Sequence, residues 1–354
     1  MTSILSMAMA VAILVASLWS FGSINHMILV TFQMAERQDV KMVFVTPEPM
    51  RALLDVRNLP GVMAAEPYRV MPARLTSGTR SKRVAIEGHT ADARISRVLS
   101  PDLSPMPMDG PGLVISEALA QALGVHRGDT VHVAFLDGRR QVVDLPVSGI
   151  SLGYVGLGAT MEMNALSQAA GESPLISGAN ILIDDAQQDA FFTAANAAPK
   201  TGFLNVTDRT VARFRATLAE NITVMITVFV TLAAIIAFGV VYNFSRIALS
   251  EQGRELASLR VLGFTRGEVA AVILSELGAI VLLAQPIGWL FGYGMGRAMV
   301  AAFSSDLYRV PFVMGREVYA TASLIVIAAA IVSAFIVRKR IDRLDLISVL
   351  KTRE

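Results

Sequence analysis

SEQGRELASLRVLGFTRGE, residues Ser250 to Glu268, sets the architecture of the chain. Glu251, Arg254, Glu255, Arg260, Arg266 and Glu268 crowd into it, with Arg246 just upstream. On each side lies an apolar run long enough to cross a bilayer. A charged helix pinned between two membrane spans cannot face lipid, because charge at bilayer depth is costly. The stretch therefore belongs at a membrane surface, where something outside the membrane can push on it.

Working outward, the 354 residues are 53% hydrophobic and only 17% charged, with mean hydropathy +0.54. Soluble domains carry about 25% charge. The deficit is concentrated in residues 4–30, 222–247, 269–296 and 318–337, which are nearly free of charge. Each reaches the roughly 20 residues that span about 30 Å of hydrocarbon. The predicted fold class is an α-helical membrane protein with four transmembrane helices and a mixed α+β extracytoplasmic domain inserted between helices 1 and 2. The predicted divisions are helix 1 (1–30), the α+β domain with helical stalks (31–218), helix 2 (219–248) and a coupling helix (249–268). Helix 3 (269–296), a second outer loop (297–317), helix 4 (318–337) and a tail (338–354) complete the chain.

Net charge is +2, so placement says more than the total. The tail holds Arg338, Lys339, Arg340, Arg343, Lys351 and Arg353, and the positive-inside rule puts it in the cytoplasm. Four spans then place the N-terminus inside, the 31–218 domain outside and Ser250–Glu268 inside. The same basic tail also suits simple contact with lipid headgroups. The opening MTSILSMAMAVAILVASLWSF has no positive segment before its apolar run and no A-x-A site after it, which reads as a retained first span. There is no cysteine, which excludes disulfides, thiolate metal sites and cysteine nucleophiles.

The 31–218 region interleaves strand and helix signals. TFQMAERQDV (31–40) reads as a polar helix continuing the first span. KMVFV (41–45) reads as a strand, 49–58 as a helix, 62–75 and 83–87 as strands, and 91–99 as a short helix. Four prolines make 100–112 an extended loop. Ser116 suits the cap of a helix over 117–123, with Gly124 as its closing glycine. A strand over 125–136 and another over 141–150 flank Asp137-Gly138, a tight hairpin signal. Thr207 suits the cap of a helix that runs without proline or glycine into the second span. Two helical stalks would then carry displacement that a Gly/Ser linker would absorb.

Gly288, Gly292 and Gly296 form a small-xxx-small face in the third span. It serves either packing within the chain or a seam with a second permease subunit. Pro286 precedes it and predicts a kink. Glu276 is the one acid well inside a span. It either pairs structurally, with Arg246 for example, or takes part in gating or substrate contact.

No catalytic constellation emerges. The chain has no G-x-x-x-x-G-K-[ST], no H-E-x-x-H and no G-x-S-x-G. His26, His89, His126 and His132 are scattered and read as structural or surface residues. Asp184-Asp185 reads as a solvated turn rather than a metal site. A membrane-embedded enzyme is disfavoured, and no cofactor is expected in this chain.

Helical spacing in Ser250–Glu268 puts Leu256, Leu259, Val261 and Leu262 on an apolar side, with Gly263-Phe264 ending the helix. An amphipathic loop resting on headgroups is the bland alternative. Its mixed charge argues against that, since anionic lipid would favour mostly lysine and arginine. Glu and Arg beside Leu and Phe suit a protein groove.

SEQGRELASLRVLGFTRGEVAAVILSE resembles the coupling region of FtsX-like permeases, the MacB/LolCDE type of ABC transporter membrane subunit. Glu251, Arg254 and Glu255 match the charged start of that region. Leu259-Arg260 and Leu262-Gly263 match its L-R-x-L-G core, followed by Phe264, and Glu268 matches the polar residue leading into the next span. LDLISVL (344–350) resembles the family's C-terminal pattern, and LGVHRGDTVHV (123–133) a recurrent piece of its extracytoplasmic domain. The N-terminus departs from the pattern, since such permeases usually carry a basic amphipathic segment before the first span. The resemblance implies a permease dimer, homo- or heteromeric, worked by separate ABC ATPase subunits that bind ATP and Mg. It implies mechanotransmission in a bacterial inner membrane, with both termini cytoplasmic, a periplasmic adaptor as a further partner, membrane lipids around it and no nucleic acid. The substrate class would be a lipid, lipoprotein or other amphipathic molecule. The competing reading is a regulator that drives an extracytoplasmic enzyme or sensor with the same stroke and transports nothing.

Overall fold

The structure is a computed structural model. It describes every residue except Met1, Asp109, 252–254, 256–257, 259–261, 263, 304–308 and 342–354. The chain divides into two compact units. The first comprises Met1–Ile24, Leu218–Phe303 and Phe312–Glu354; the second comprises Asn25–Thr217 and Ser304–Pro311.

The first unit is helical. Its helices are α1 (Thr2–Leu29), α6 (Thr207–Glu251), α7 (Arg266–Phe303) and α8 (Arg316–Ile341), with α1 and α6 running on into the second unit. Among the described residues, four segments are long and apolar enough to cross a membrane: Thr2–Ala35, Thr223–Ala248, Gly267–Ala301 and Arg316–Ile336. Of the most apolar stretch of the first segment 56% is buried, against 17–29% for the corresponding stretches of the other three. That contrast makes α1 the hub. Its Met7, Val11, Leu14 and Val15 pack with Ala233, Ala237 and Val241 of α6, Leu277 and Val281 of α7, and Val318, Ala322 and Val326 of α8. Alanine on the neighbouring helices lets the backbones come close, where dispersion and packing hold spans together. α7 continues through Pro286.

The second unit is built on nine strands, β1 (Val40–Pro49), β2 (Val62–Ser77), β3 (Arg80–His89), β4 (Leu113–Ser116), β5 (Thr130–Phe135), β6 (Val142–Ser151), β7 (Ala159–Glu162), β8 (Leu175–Ile183) and β9 (Thr201–Val206). The long β2 pairs with both β3 and β5, and the ladder β3-β7-β4-β6-β5 returns to β2. Six strands therefore close into a small barrel, which removes their edges. β8, β1 and β9 extend from the other half of β2 as a wing.

Alternation decides which side chains enter each core. Met71, Ala73 and Leu75 of β2 meet Ile86, Ile115, Val131, Val133 and Phe135 inside the barrel, closed by Leu119 and Leu123 of α3 (Glu117–Leu123) and Leu166 of α4 (Met163–Ala170). The wing has its own core. Val40, Met42, Phe44, Ile181 and Ile183 pack under α2 (Ala52–Arg57) and α5 (Gln188–Ala197), with Phe191 fully buried. Gly178 sits where β8 crosses between β1 and Tyr68; a Cβ there would lie 1.9 Å from the Met42 carbonyl oxygen.

Local signals translate as read at several points. Ser116 caps α3 by accepting from the Leu119 amide, and Gly124 closes it with φ 71°. Three sequence expectations are corrected. Residues 91–99 form no helix; they run as an irregular strap, because the Glu66 carboxylate takes the amides of Arg94 and Ile95 and the strap bridges to Glu36. Asp137-Gly138 lies in a longer loop between β5 and β6, where Arg140 also takes positive φ, so it is not a two-residue hairpin. The helical extension of α1 stops early, as a π-helical turn over Val30–Ala35, since Glu36 turns into the β-region to reach β1.

Candidate coupling segment and the stalk roots

The charged stretch between α6 and α7 is partly described. Arg254, Leu259, Arg260 and Gly263 lie outside the described residues. Glu251 ends α6, and Glu251, Glu255, Leu262 and Phe264 are all exposed, Leu262 at 76% and Phe264 at 45%.

The return into α7 is fixed by a reciprocal cap. The Thr265 amide and hydroxyl donate to Glu268 Oε2 at 2.7 and 2.8 Å, and the Glu268 amide donates to the Thr265 hydroxyl at 3.3 Å. This is a capping box. Thr265-Arg-Gly-Glu268 carries its S/T-x-x-E signature, a signal that the sequence reading assigned only to resemblance. Behind it, Ala248 of α6 packs on Val269 and Ile273 of α7, flanked by Phe244. The two ends of the exposed stretch are thus clamped to each other.

Gly288 and Gly292 face α1. A Cβ at Gly288 would meet Val11 Cβ at 2.5 Å and the Ala8 carbonyl at 2.8 Å; one at Gly292 would meet Val15 Cβ at 2.6 Å. That part of the glycine face is occupied by a helix of the same chain. Gly296 lies one turn on, against Phe312 and Met314. Glu276 is half-buried and makes no ion pair among the described residues; the pairing with Arg246 considered from the sequence is not formed.

At the other unit, the roots of α1 and α6 lie side by side. β1 pairs with β9, setting Val40 opposite Val206. The Thr207 hydroxyl donates to the Gln38 carbonyl at 2.5 Å and its amide to the Asp39 carbonyl at 2.9 Å. Thr207 therefore does more than begin a helix; it ties that helix to the strand emerging from α1. Arg209, in the first turn of α6, sits 5.9 Å over the Phe192 ring.

Next to this tie lies a half-buried polar cluster that sequence spacing did not reveal. Lys41 Nζ contacts Glu87 Oε1 at 2.5 Å and lies 4.5 Å over the Tyr68 ring. His89 Nε2 is 3.8 Å from Glu87 Oε2, and the Tyr68 hydroxyl donates to the Met42 carbonyl at 3.1 Å. Burial pushes the Glu36 carboxyl up, against the pull of Lys41. Burial would also raise Glu87, but Lys41 and His89 more than offset it and hold that carboxyl below its usual range. Burial holds His89 below the usual imidazole range despite Glu87 beside it. These residues come from β1, β2 and β3, so only the sheet register brings them together.

A third attachment is Arg309. Its amide donates to the Tyr154 carbonyl at 2.9 Å, and its guanidinium meets Gln121 Oε1 and, at 4.0 Å, Glu117 of α3. Tyr154 also makes an edge contact with His26.

Residues 227–346, about a third of the chain, match the family model "FtsX-like permease C-terminal". No curated protein sequence matches the chain. Among solved structures, the extracellular domain of the noncanonic ABC-type transporter YknZ from Gram-positive bacteria aligns over 46% of this chain and 97% of its own, at 11% identity and TM-score 0.34. The periplasmic region of MacB from Actinobacillus actinomycetemcomitans aligns over 52% of this chain and 97% of its own, at 12% identity and TM-score 0.34.

Proposed function

We propose that the chain is the membrane subunit of an ABC-type transporter that converts the stroke of separate ATPase subunits into movement of the β-rich unit. The observation that carries this is the match of 227–346 to an FtsX-like permease together with the exposed, capped stretch between α6 and α7. The sequence holds no phosphate-binding loop, so ATP is bound by the partner. In this reading the Ser250–Glu268 stretch lies in the cytoplasm and docks in an ATPase groove through Glu251, Arg254, Glu255, Leu259, Arg260, Leu262 and Phe264. The β-rich unit lies outside the membrane. Motion passes along α1 and α6, which meet at the Thr207–Gln38 tie, and the work is spent on export or extraction of an amphipathic substrate. A second permease subunit completes the assembly.

The test is co-purification. Leu259→Asp combined with Gly263→Trp replaces an apolar residue and a glycine of the L-R-x-L-G core while leaving all four apolar segments untouched. The variant is expected in the membrane in normal amount but without its ATPase. Retention of the ATPase at wild-type level overturns the assignment.

A further inference from the structure

We propose that the groove between α7 and α8, at the end nearest Arg316, is a binding site for an anionic phospholipid, with the phosphate on Arg316 and an acyl chain lying down the helix pair. The inference rests on the reading of α7 and α8 as membrane spans, but not on the coupling assignment. The mouth is a cavity of about 580 Å³ lined by Trp289, Leu290, Tyr293, Arg316, Tyr319 and Ala320. Its walls are apolar, with Leu290 73% exposed, and its rim carries a cation. Arg316 makes no ion pair among the described residues, and the adjacent Glu317 folds back over Gly315. The aromatic residues are held rather than loose. Trp289 Nε1 donates to Ser323 Oγ at 2.9 Å and its ring meets Tyr319 edge-on at 5.9 Å, while Tyr293 packs on Phe312 at 5.1 Å.

Trp and Tyr prefer the membrane–water interface, where the ring sits in hydrocarbon and its polar tip in water. A guanidinium at the same level matches a phosphate with paired donors. Below the mouth, the same two helices carry a second, wholly apolar hollow of about 330 Å³ that includes Leu277, Val281, Ile327 and Ile331. From Tyr319 to Ile331 a helix rises about 18 Å, comparable with the roughly 15 Å of hydrocarbon in one leaflet. Cation, aromatic rim and apolar floor thus follow one another in the order of headgroup, glycerol region and acyl chain. A helix from a second subunit would need an acid opposite Arg316 and would gain nothing from that gradation.

The experiment is native mass spectrometry of the full chain in detergent, with phosphatidylglycerol and phosphatidylcholine offered separately and glycerol 1-phosphate or inorganic phosphate added in excess as competitors. One tightly held phosphatidylglycerol is expected per chain, with phosphatidylcholine weaker and neither water-soluble phosphate competing. Arg316→Gln should weaken phosphatidylglycerol binding at least about tenfold, the scale of a lost charge-assisted hydrogen bond. Ala320→Trp, which fills the mouth without touching the charge, should do the same. Arg297→Gln, in the last turns of α7 but not among the groove-lining residues, should leave binding unchanged. Equal loss in Arg297→Gln would show a generic interfacial cation and overturn the proposal, as would full competition by inorganic phosphate or wild-type binding in both groove variants. ATPase co-purification in the same preparations reports separately on the coupling assignment.

Discussion

The Thr207 hydroxyl donates to the main-chain carbonyl of Gln38 at 2.5 Å. One bond therefore joins the first residue of α6 to the chain that has just left α1. Val40 and Val206 pair immediately beyond it, so two routes arrive at one point of the sheet. Thr207→Val keeps shape and removes the donor. It should cost on the order of 1 kcal/mol and speed amide exchange selectively at β9 and the first turn of α6. Uniform exchange across the β-rich unit would contradict the role given to the tie.

The half-buried cluster beside that tie makes stability depend on pH. His89 is held below its unfolded value, near 6.5. Above that value the imidazole is neutral in both states and contributes no slope. As pH falls through it, the unfolded chain takes the proton first and stability drops. Glu36 acts oppositely: raised by burial, it favours the fold at low pH and loses that contribution as pH climbs through its folded value. Glu87, held low, loses its contribution only below the ordinary carboxylate range. His89 therefore contributes a loss of stability as pH falls from 7 to 5, against a gain from Glu36, and the melting temperature of His89→Gln should fall less over that range than that of the wild type. An unchanged slope in the variant would assign it elsewhere.

Gly288→Ile and Gly292→Ile each drive a branched side chain into α1. Overpacking of this kind costs typically about 1–3 kcal/mol. Both variants should lower the melting temperature in detergent, whereas Gly294→Ile, where a Cβ meets nothing within 4 Å, should be neutral. If all three behave alike, the α1–α7 contact is not what the glycines serve.

Arg309→Ala removes the side-chain contacts to Gln121 and Glu117 but leaves the main-chain bond to Tyr154. Partly exposed ion pairs are worth about 1 kcal/mol or less, so global stability should hardly move. Protease cutting within 297–317 should nevertheless increase. No increase would show that the main-chain bond alone seats the segment.

Much of this molecule is legible in its sequence. The four apolar runs, the Ser116 and Gly124 helix ends and the exposed charged stretch follow from local composition and spacing. The barrel does not, because closure depends on β2 pairing on both edges, and nothing in VMAAEPYRVMPARLTS announces two partners. The Lys41–Glu87–His89 cluster is equally hidden, since residues separated along the chain are joined only by strand register. Residues 91–99 read as a helix from sequence but form a strap, because the deciding interaction, Glu66 accepting from Arg94 and Ile95, is non-local. Local pattern shows where backbone goes, whereas a half-buried charge network belongs to the assembled sheet.

The central claim is that movement imposed on Ser250–Glu268 reaches the β-rich unit. With no native cysteine, a single Met63→Cys label on an exposed position of β2 reports on that unit alone; Met63 is 66% exposed. In nanodiscs containing the partner ATPase, the label's fluorescence should change on ATP binding and return on hydrolysis. The change should vanish in the Leu259→Asp, Gly263→Trp background. A label indifferent to ATP, or a response that survives in that background, would contradict the account.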